Sequence, residues 1–364
     1  MHSLRYVVYV TSVVETRIDG GCYIGEGRWE RNVLDALVRD GREVYVPNLA
    51  HTWRSPLEIP ANLHDYSELN TLDNLVFISH SPPMRLDIPV KAHRYILQWF
   101  NGPDDDADKE FLSLVRENPN SVVATYNFAI KSTKYKMFGV DNIEWVQGPA
   151  VPRVYREANN FLAPYLLWSS KSLYYWAEDT SQQASLSRIF DWCSSALSYD
   201  SSLSLVFLLG TAGPLRTAEE IQEWFWKNKS SGPLRNQKEQ VVFLSQVEWF
   251  EVSSVLEKSR LIVSPHYGYG GPPYESASFG IPMILSSDGH PFMGEDGSKL
   301  FPEVMSTRDR YGGSEFVDSL NKLLKDRALY ERVGGAYRDY TDKFATYKAY
   351  LEQIDAVSKK RGWA

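Results

Sequence analysis

The residues with the clearest chemical potential lie between positions 264 and 291, SPHYGYGGPPYESASFGIPMILSSDGHP. The apolar run RLIVS at 260–264 predicts a strand. A Gly/Pro-rich loop follows, Gly268-Tyr269-Gly270-Gly271-Pro272-Pro273, and opens a short helix with one acid, Glu275, in its first turn. Gly280 stops the helix and 281–286 is a second apolar strand. A carboxylate so placed can accept hydrogen bonds from two ribose hydroxyls, charge-assisted bonds worth roughly 1.5–3 kcal/mol each. Gly270 and Gly271 allow close backbone approach, and the N–H groups from Tyr274 onward offer donors to a diphosphate or sugar oxygen. Pro272 and Pro273 donate nothing. Strand, glycine loop, helix start and carboxylate together are how parallel sheets hold nucleotides. The structural alternatives are a glutamate that complements the helix dipole and an ordinary Gly/Pro turn.

Two further places invite the same question. Gly20-Gly21, between a first strand and a first helix, either lets the backbone approach a diphosphate or makes a plain strand-to-helix turn. His80 ends the apolar run LVFIS at the edge where parallel sheets bind ligands, and either orients a substrate or packs. Asp104, Asp105, Asp106 and Asp108 have oxygen-ligand spacing for Mg²⁺ or Mn²⁺, but they follow Gly102-Pro103 and are read as the cap of a helix over 107–116 before a metal site. Lys131, Lys134 and Lys136 with Tyr126, Tyr135 and Phe138 form a basic–aromatic patch, read as a solvated helix face before an acceptor or nucleic-acid surface. The chain has no Gly-x-x-x-x-Gly-Lys-Ser/Thr loop, no His-Glu-x-x-His, no Cys-x-x-Cys and no Gly-x-Ser-x-Gly.

The elements that must position these residues repeat one pattern. Residues 6–10 (YVVYV) predict a buried parallel strand, 27–39 an amphipathic helix ended by Gly41, and 44–46 a second strand: one βαβ unit. Strands follow at 75–79, 95–99, 121–125 and 143–146. Residues 147–163 carry two prolines and no clean periodicity, and mark a boundary. The alternation then restarts, with strands at 165–168, 203–209, 241–244 and 261–264 and helices at 185–197, 219–227 and 249–257. Amphipathic helices at 315–325 and 328–344 and a last helix reaching 359 complete the chain. Two successive α/β halves predict two doubly wound domains with a ligand crevice between them.

At 364 residues the chain is long enough for two cores. Its net charge of −7 supplies no overall field for nucleic acid or anionic lipid. Two cysteines, Cys22 and Cys193, suggest a reduced cytoplasmic protein. The N-terminus reads as a strand rather than a signal peptide, and no apolar run approaches the roughly 20 residues of a membrane span.

With these residues in order, the chain resembles the GT-B glycosyltransferases, in particular the large retaining family (family 4-like) of sucrose synthases and bacterial mannosyl- and glucosyltransferases. The glycine loop at Gly20-Gly21, the stretch VVATYNFAIKSTKYKMFGVDNIEWVQGPAV and the strands ending near Gly210 and Ser245 follow the family's order. The stretch from 266 to 282 resembles its Glu-Gly-Phe-Gly-x-Pro-x-x-Glu motif and is the specific part of the likeness. The sequence also departs from the pattern. The family's two glutamates are separated by seven residues, and counting back from Glu275 the first falls on Tyr267, beside His266. The family's Gly-Arg-x-x-x-x-Lys reads here with Lys171 for the Arg and Trp176 for the Lys, a point charge in place of a planar fork.

The resemblance implies a GT-B fold with residues 1–155 as an acceptor-side Rossmann-like domain and 156–340 as the donor side. A C-terminal helix in 341–364 would pack back on the first domain. It implies transfer of a sugar from a UDP- or GDP-sugar to an acceptor hydroxyl with retention. It implies a nucleotide sugar as co-substrate, with no permanently held cofactor and no metal requirement expected. The site residues expected are Gly20, Gly21, Lys171, Tyr267, Gly270, Gly271, Tyr274 and Glu275 for the nucleotide sugar, and Lys171, His266 and, from its strand-end position, His80 for the chemistry. Lys171 would neutralise the departing diphosphate, its alternative being a solvated surface lysine; His266 would contact the donor sugar. The acceptor is open among glycan, glycolipid, small molecule and modified nucleobase, and location is expected to be cytoplasmic, with peripheral membrane docking open. Two rivals keep the fold: a catalytically silent nucleotide-sugar binder and a sugar-nucleotide epimerase.

Overall fold

Runs of β-branched and aromatic residues become the central strands of two parallel sheets. The computed structural model describes residues 4–8, 25–47, 62–64, 72–79, 94–98, 120–125, 143–170, 196–197, 200–209, 217–228, 233–245, 247, 251–264, 271–286, 292, 299–307 and 314–363. The first sheet holds β1 (Arg5–Val8), β2 (Glu43–Pro47), β3 (Asn62–His64), β4 (Leu75–Ser79), β5 (Arg94–Gln98), β6 (Ser121–Thr125) and β7 (Ile143–Trp145), in the order β3-β2-β1-β4-β5-β6-β7. The second holds β8 (Tyr165–Ser170), β9 (Ser204–Leu209), β10 (Val241–Ser245), β11 (Ser259–Ser264), β12 (Met283–Ser286) and β13 (Met305–Thr307), in the order β10-β9-β8-β11-β12-β13. Each winds outward in both directions from its first strand, the doubly wound order, with the topological switch beside that strand: β1/β4 in one sheet and β8/β11 in the other.

The central strands are buried on both faces. Tyr6, Val7 and Val8 of β1, Leu166, Leu167 and Trp168 of β8, and Leu261, Ile262 and Val263 of β11 are consecutive and all buried. That requires helices above and below each sheet. Helix α1 (Gly25–Arg39) supplies Val33, Leu34 and Leu37 to the first core. Helices α2 (Ala218–Asn228), α3 (Val252–Glu257), α4 (Gly271–Ser278), α5 (Ser314–Lys325) and α6 (Arg327–Phe344) belong to the second half. Phe225 of α2 joins Phe207 and Phe243, whose rings stack at 5.0 Å.

The chain crosses between the sheets twice. Residues 146–164 lead from β7 to β8, and 345–346 lead from α6 to α7 (Tyr347–Lys360). The crossings pair with each other: Ala150 N and Val151 N donate to Ala345 O, and Tyr347 N donates to Val151 O. Helix α7 then lies against the first half. Tyr347 Oη donates to Asn32 Oδ1 at 3.0 Å, Asn32 Nδ2 donates to Ala150 O at 3.1 Å, and Arg42 grips Asp355 through two bonds of 2.7 and 2.8 Å. Among the described residues no helix is long and apolar enough to cross a membrane.

Candidate functional site

The second sheet aims its switch point at one helix. β8 and β11 are parallel neighbours, paired Trp168 with Val263, so the segments that leave them after Ser170 and Ser264 start from the same edge. The chain after β11 reaches α4 within seven residues, at Gly271. In doubly wound sheets this carboxyl edge, at the switch, is where ligands bind.

Helix α4 starts earlier than the sequence suggested. Pro272 and Pro273 are inside its first turn rather than in the loop before it, and Glu275 is its fifth residue rather than part of that turn. Proline is tolerated in a first turn because those N–H groups have no intrahelical partner anyway. Of the first four residues only Gly271 and Tyr274 therefore carry an N–H. The displacement also weakens the reading of Glu275 as a dipole complement, which acts through the first turn.

Both flanks of α4 are fixed. The Tyr274 side chain is fully buried and meets Phe292 edge-on at 5.2 Å, and Phe292 in turn contacts Tyr337 and Tyr340 of α6. Its ring is thus core, and what it has to offer a ligand is its backbone. Glu275 is buried too, at 7% exposure, with Ser276 and Ser278 beside it at 1%. Ser278 Oγ donates to Glu275 O at 2.6 Å. The helix ends in a Schellman motif: Gly280 N donates to Ala277 O and Ile281 N to Ser276 O, with Gly280 at φ +69°. The Gly280 carbonyl abuts Gly334 of α6 so closely that a Cβ on Gly334 would overlap it.

The opposite edge of β11 is structural. The Arg260 guanidinium, 9% exposed, donates to Asp200 Oδ2 at 3.3 Å and to Leu324 O at 2.6 Å and lies over the Phe161 ring at 4.7 Å. Hydrogen bonds from Ser202, through its hydroxyl and then its N–H, hold the Asp200 carboxyl below its usual pKa; burial opposes them and Arg260 assists.

The structure therefore brings Gly271, Tyr274 and Glu275 together on α4. Gly20, Gly21, His80, Lys171, His266, Tyr267 and Gly270 lie outside the described residues. By chain position His80 follows the last residue of β4, Lys171 the last residue of β8, and His266, Tyr267 and Gly270 belong to the segment between β11 and α4. The acidic run from Asp104 to Asp108 and the Lys131–Lys136 patch are also outside. Among the described residues no cluster of three His, Cys, Asp or Glu side chains has the arrangement of a metal site. Sequence reasoning missed Tyr155, Phe279 and Arg338, which hold the far end of α4. Nothing in a single sequence marks a linker tyrosine or a helix arginine for that task.

No family model matches the sequence and no curated protein matches it. Solved structures do resemble the fold. A variant of S. aureus TarM, solved with fondaparinux, alpha-GlcNAc-glycerol and UDP, is 12% identical with a TM-score of 0.52, over 78% of this chain and 55% of TarM. The chain thus spans about half the length of TarM. Sucrose-phosphate synthase from Thermosynechococcus elongatus is 12% identical with a TM-score of 0.61 over 98% of both chains. A putative UDP-N-acetylglucosamine 2-epimerase from Listeria monocytogenes is 10% identical with a TM-score of 0.56, over 99% of this chain and 97% of that one. With two parallel sheets in doubly wound order, these likenesses define the fold: the chain has the GT-B architecture of two Rossmann-like domains.

Proposed function

We propose that this protein is a glycosyltransferase that moves a sugar from a nucleoside-diphosphate donor, UDP- or GDP-linked, to an acceptor hydroxyl, with retention of configuration in the manner of family 4. The observation that supports this most is the position of Glu275. It is a buried carboxylate on the helix that follows the switch-point strand of the second sheet. A carboxylate at that edge fits a pair of ribose hydroxyls. TarM, of the same fold, was solved with UDP.

In this reading the nucleotide lies along α4, the ribose against Glu275 and the diphosphate toward Gly270, Gly271 and the Tyr274 N–H. Lys171 neutralises charge on the departing diphosphate. Gly20-Gly21 bring the first domain's loop to the same group, and His80 and His266 orient acceptor and donor sugar beside Tyr267. The glycosidic bond breaks through an oxocarbenium-like state, and the departing phosphate oxygen accepts the proton of the acceptor hydroxyl on the same face. The protein's contribution is positioning and charge stabilisation, which needs no general base.

The test is incubation with UDP- and GDP-sugars, reading nucleotide release and sugar identity, together with the Glu275→Ala variant. Loss of one charge-assisted partner should weaken nucleotide binding by about tenfold or more. Unchanged affinity in Glu275→Ala refutes the ribose assignment. The likeness to a putative 2-epimerase over nearly the whole chain favours one second reading, an epimerase on the same fold. An altered free nucleotide sugar without transfer would establish it. Binding without turnover would instead point to a silent binder, the reading that Tyr267 in place of the family's first glutamate motivates.

A further inference from the structure

We infer that Arg338 is a positioning residue for the Glu275 helix, acting through the segment that joins the two sheets. The inference rests on the proposed nucleotide site. Arg338 Nη1 donates toward three converging carbonyls, Tyr155 O at 3.3 Å, Arg156 O at 3.1 Å and Ala158 O at 3.4 Å. A cation among three carbonyl dipoles fixes the fold of this segment as no single neutral bond would. Tyr155 then turns to α4. Its N–H donates to Ser278 O at 2.7 Å and its ring stacks on Phe279 at 4.1 Å and 12°. Ser278, which accepts from the segment, donates through its hydroxyl to Glu275 O. The path from Arg338 to the backbone of Glu275 is thus three consecutive hydrogen bonds.

Arg338 also touches α4's end directly. It sits one turn beyond Gly334 on α6 and so on the same face. Gly334 meets the Gly280 carbonyl, and the place where a Cβ of Gly280 would stand is 2.6 Å from Arg338 Nε. The two glycines remove side chains where α6 and the end of α4 meet, and Arg338 fills the remaining space and reaches past to the segment. Because that segment is also bonded to the second crossing through Ala150, Val151 and Ala345, its position reports how the two sheets are joined. Arg338 therefore sets the height of Glu275 against a frame shared by both halves.

A purely structural arginine would lower the unfolding midpoint and leave the folded site unchanged. The test uses the full chain well below that midpoint, with UDP and GDP as probes in titration calorimetry and hydrogen exchange of the amides at 275–281. Arg338→Ala should weaken binding of whichever nucleotide the wild type takes by about fivefold, a coupling of the size such contacts carry. It should also speed exchange at 275–281 by about tenfold while β9 is unchanged. Arg338→Lys, whose ammonium keeps three donors, should recover most of both. If Arg338→Ala does not fold, Tyr155→Leu removes the ring stack, keeps the N–H and carries the same expectation. A lowered midpoint with unchanged exchange and affinity overturns the inference. If Glu275→Ala weakens binding and Arg338→Ala does not, the site reading stands and the inference falls. If the wild type binds neither nucleotide, the site reading falls, and exchange at 275–281 alone decides whether Arg338 holds the helix.

Discussion

Arg260 in β11 and Glu275 on the helix that follows are both buried, and burial treats them differently. Arg260 enters the strand with its charge matched by Asp200 and a helix carbonyl, so its role is complete within the fold. Asp200 carries the pH dependence of that edge. Its folded pKa is held below the ordinary carboxylate value, so the stability it contributes is fully present above about pH 4 and is lost as pH falls through the lowered folded value. Urea unfolding from neutral pH downward should show wild type more stable than Asp200→Asn at pH 7 and the gap closing in acid. A gap that does not change with pH would mean the charge is not what stabilises. The place of Glu275 on a short helix after a buried strand was legible in the sequence because glycines and prolines bracket a single acid. Its turn of the helix was not, because prolines read as loop where they also fit a first turn.

Two adjacent glycines in α6 make an internal comparison at the level of elements. A Cβ on Gly334 would run into the Gly280 carbonyl, a backbone atom that cannot turn aside, whereas a Cβ on Gly335 meets nothing within 4 Å. Gly334→Ala should therefore destabilise by about 3 kcal/mol through overpacking. Gly335→Ala should stabilise by about 0.5–1 kcal/mol through helix propensity. Denaturant midpoints of the pair check both signs, and equal effects would mean that α4 and α6 are not in this contact. The elements themselves were largely legible. Central strands such as LVFIS and RLIVS announce themselves because burial on both faces demands unbroken apolar runs. The edge strands Asn62–His64 and Met305–Thr307 did not, being three residues long and mixed in polarity. The Gly280–Gly334 approach joins residues 54 apart in the chain and leaves no periodic trace.

At the scale of the whole molecule, the doubly wound order of each half was readable from alternation, while the bonds that close the halves against each other were not. Arg42 makes several of them. Its side chain is 16% exposed; burial works against its charge, yet the hydrogen bonds it donates to Asp355 and Asp40 outweigh that and raise its pKa. It also donates to Tyr6 Oη in β1 at 2.8 Å, so one guanidinium ties the first sheet to α7. The partners are unequal. Asp355 is 55% exposed, and Asp355→Asn leaves Arg42 with Asp40 and the tyrosine, for a loss of about 1 kcal/mol or less. Arg42→Ala strips three groups at once, including the buried Tyr6 hydroxyl, and should cost about 2–3 kcal/mol. Hydrogen exchange locates the effect. In Arg42→Ala the amides of α7 should lose protection ahead of those in α6, because the lost bonds hold α7 to the first sheet, while α6 keeps its packing against α4. Uniform loss across both helices would show that α7 and α6 open as one unit and that Arg42 is not the clasp.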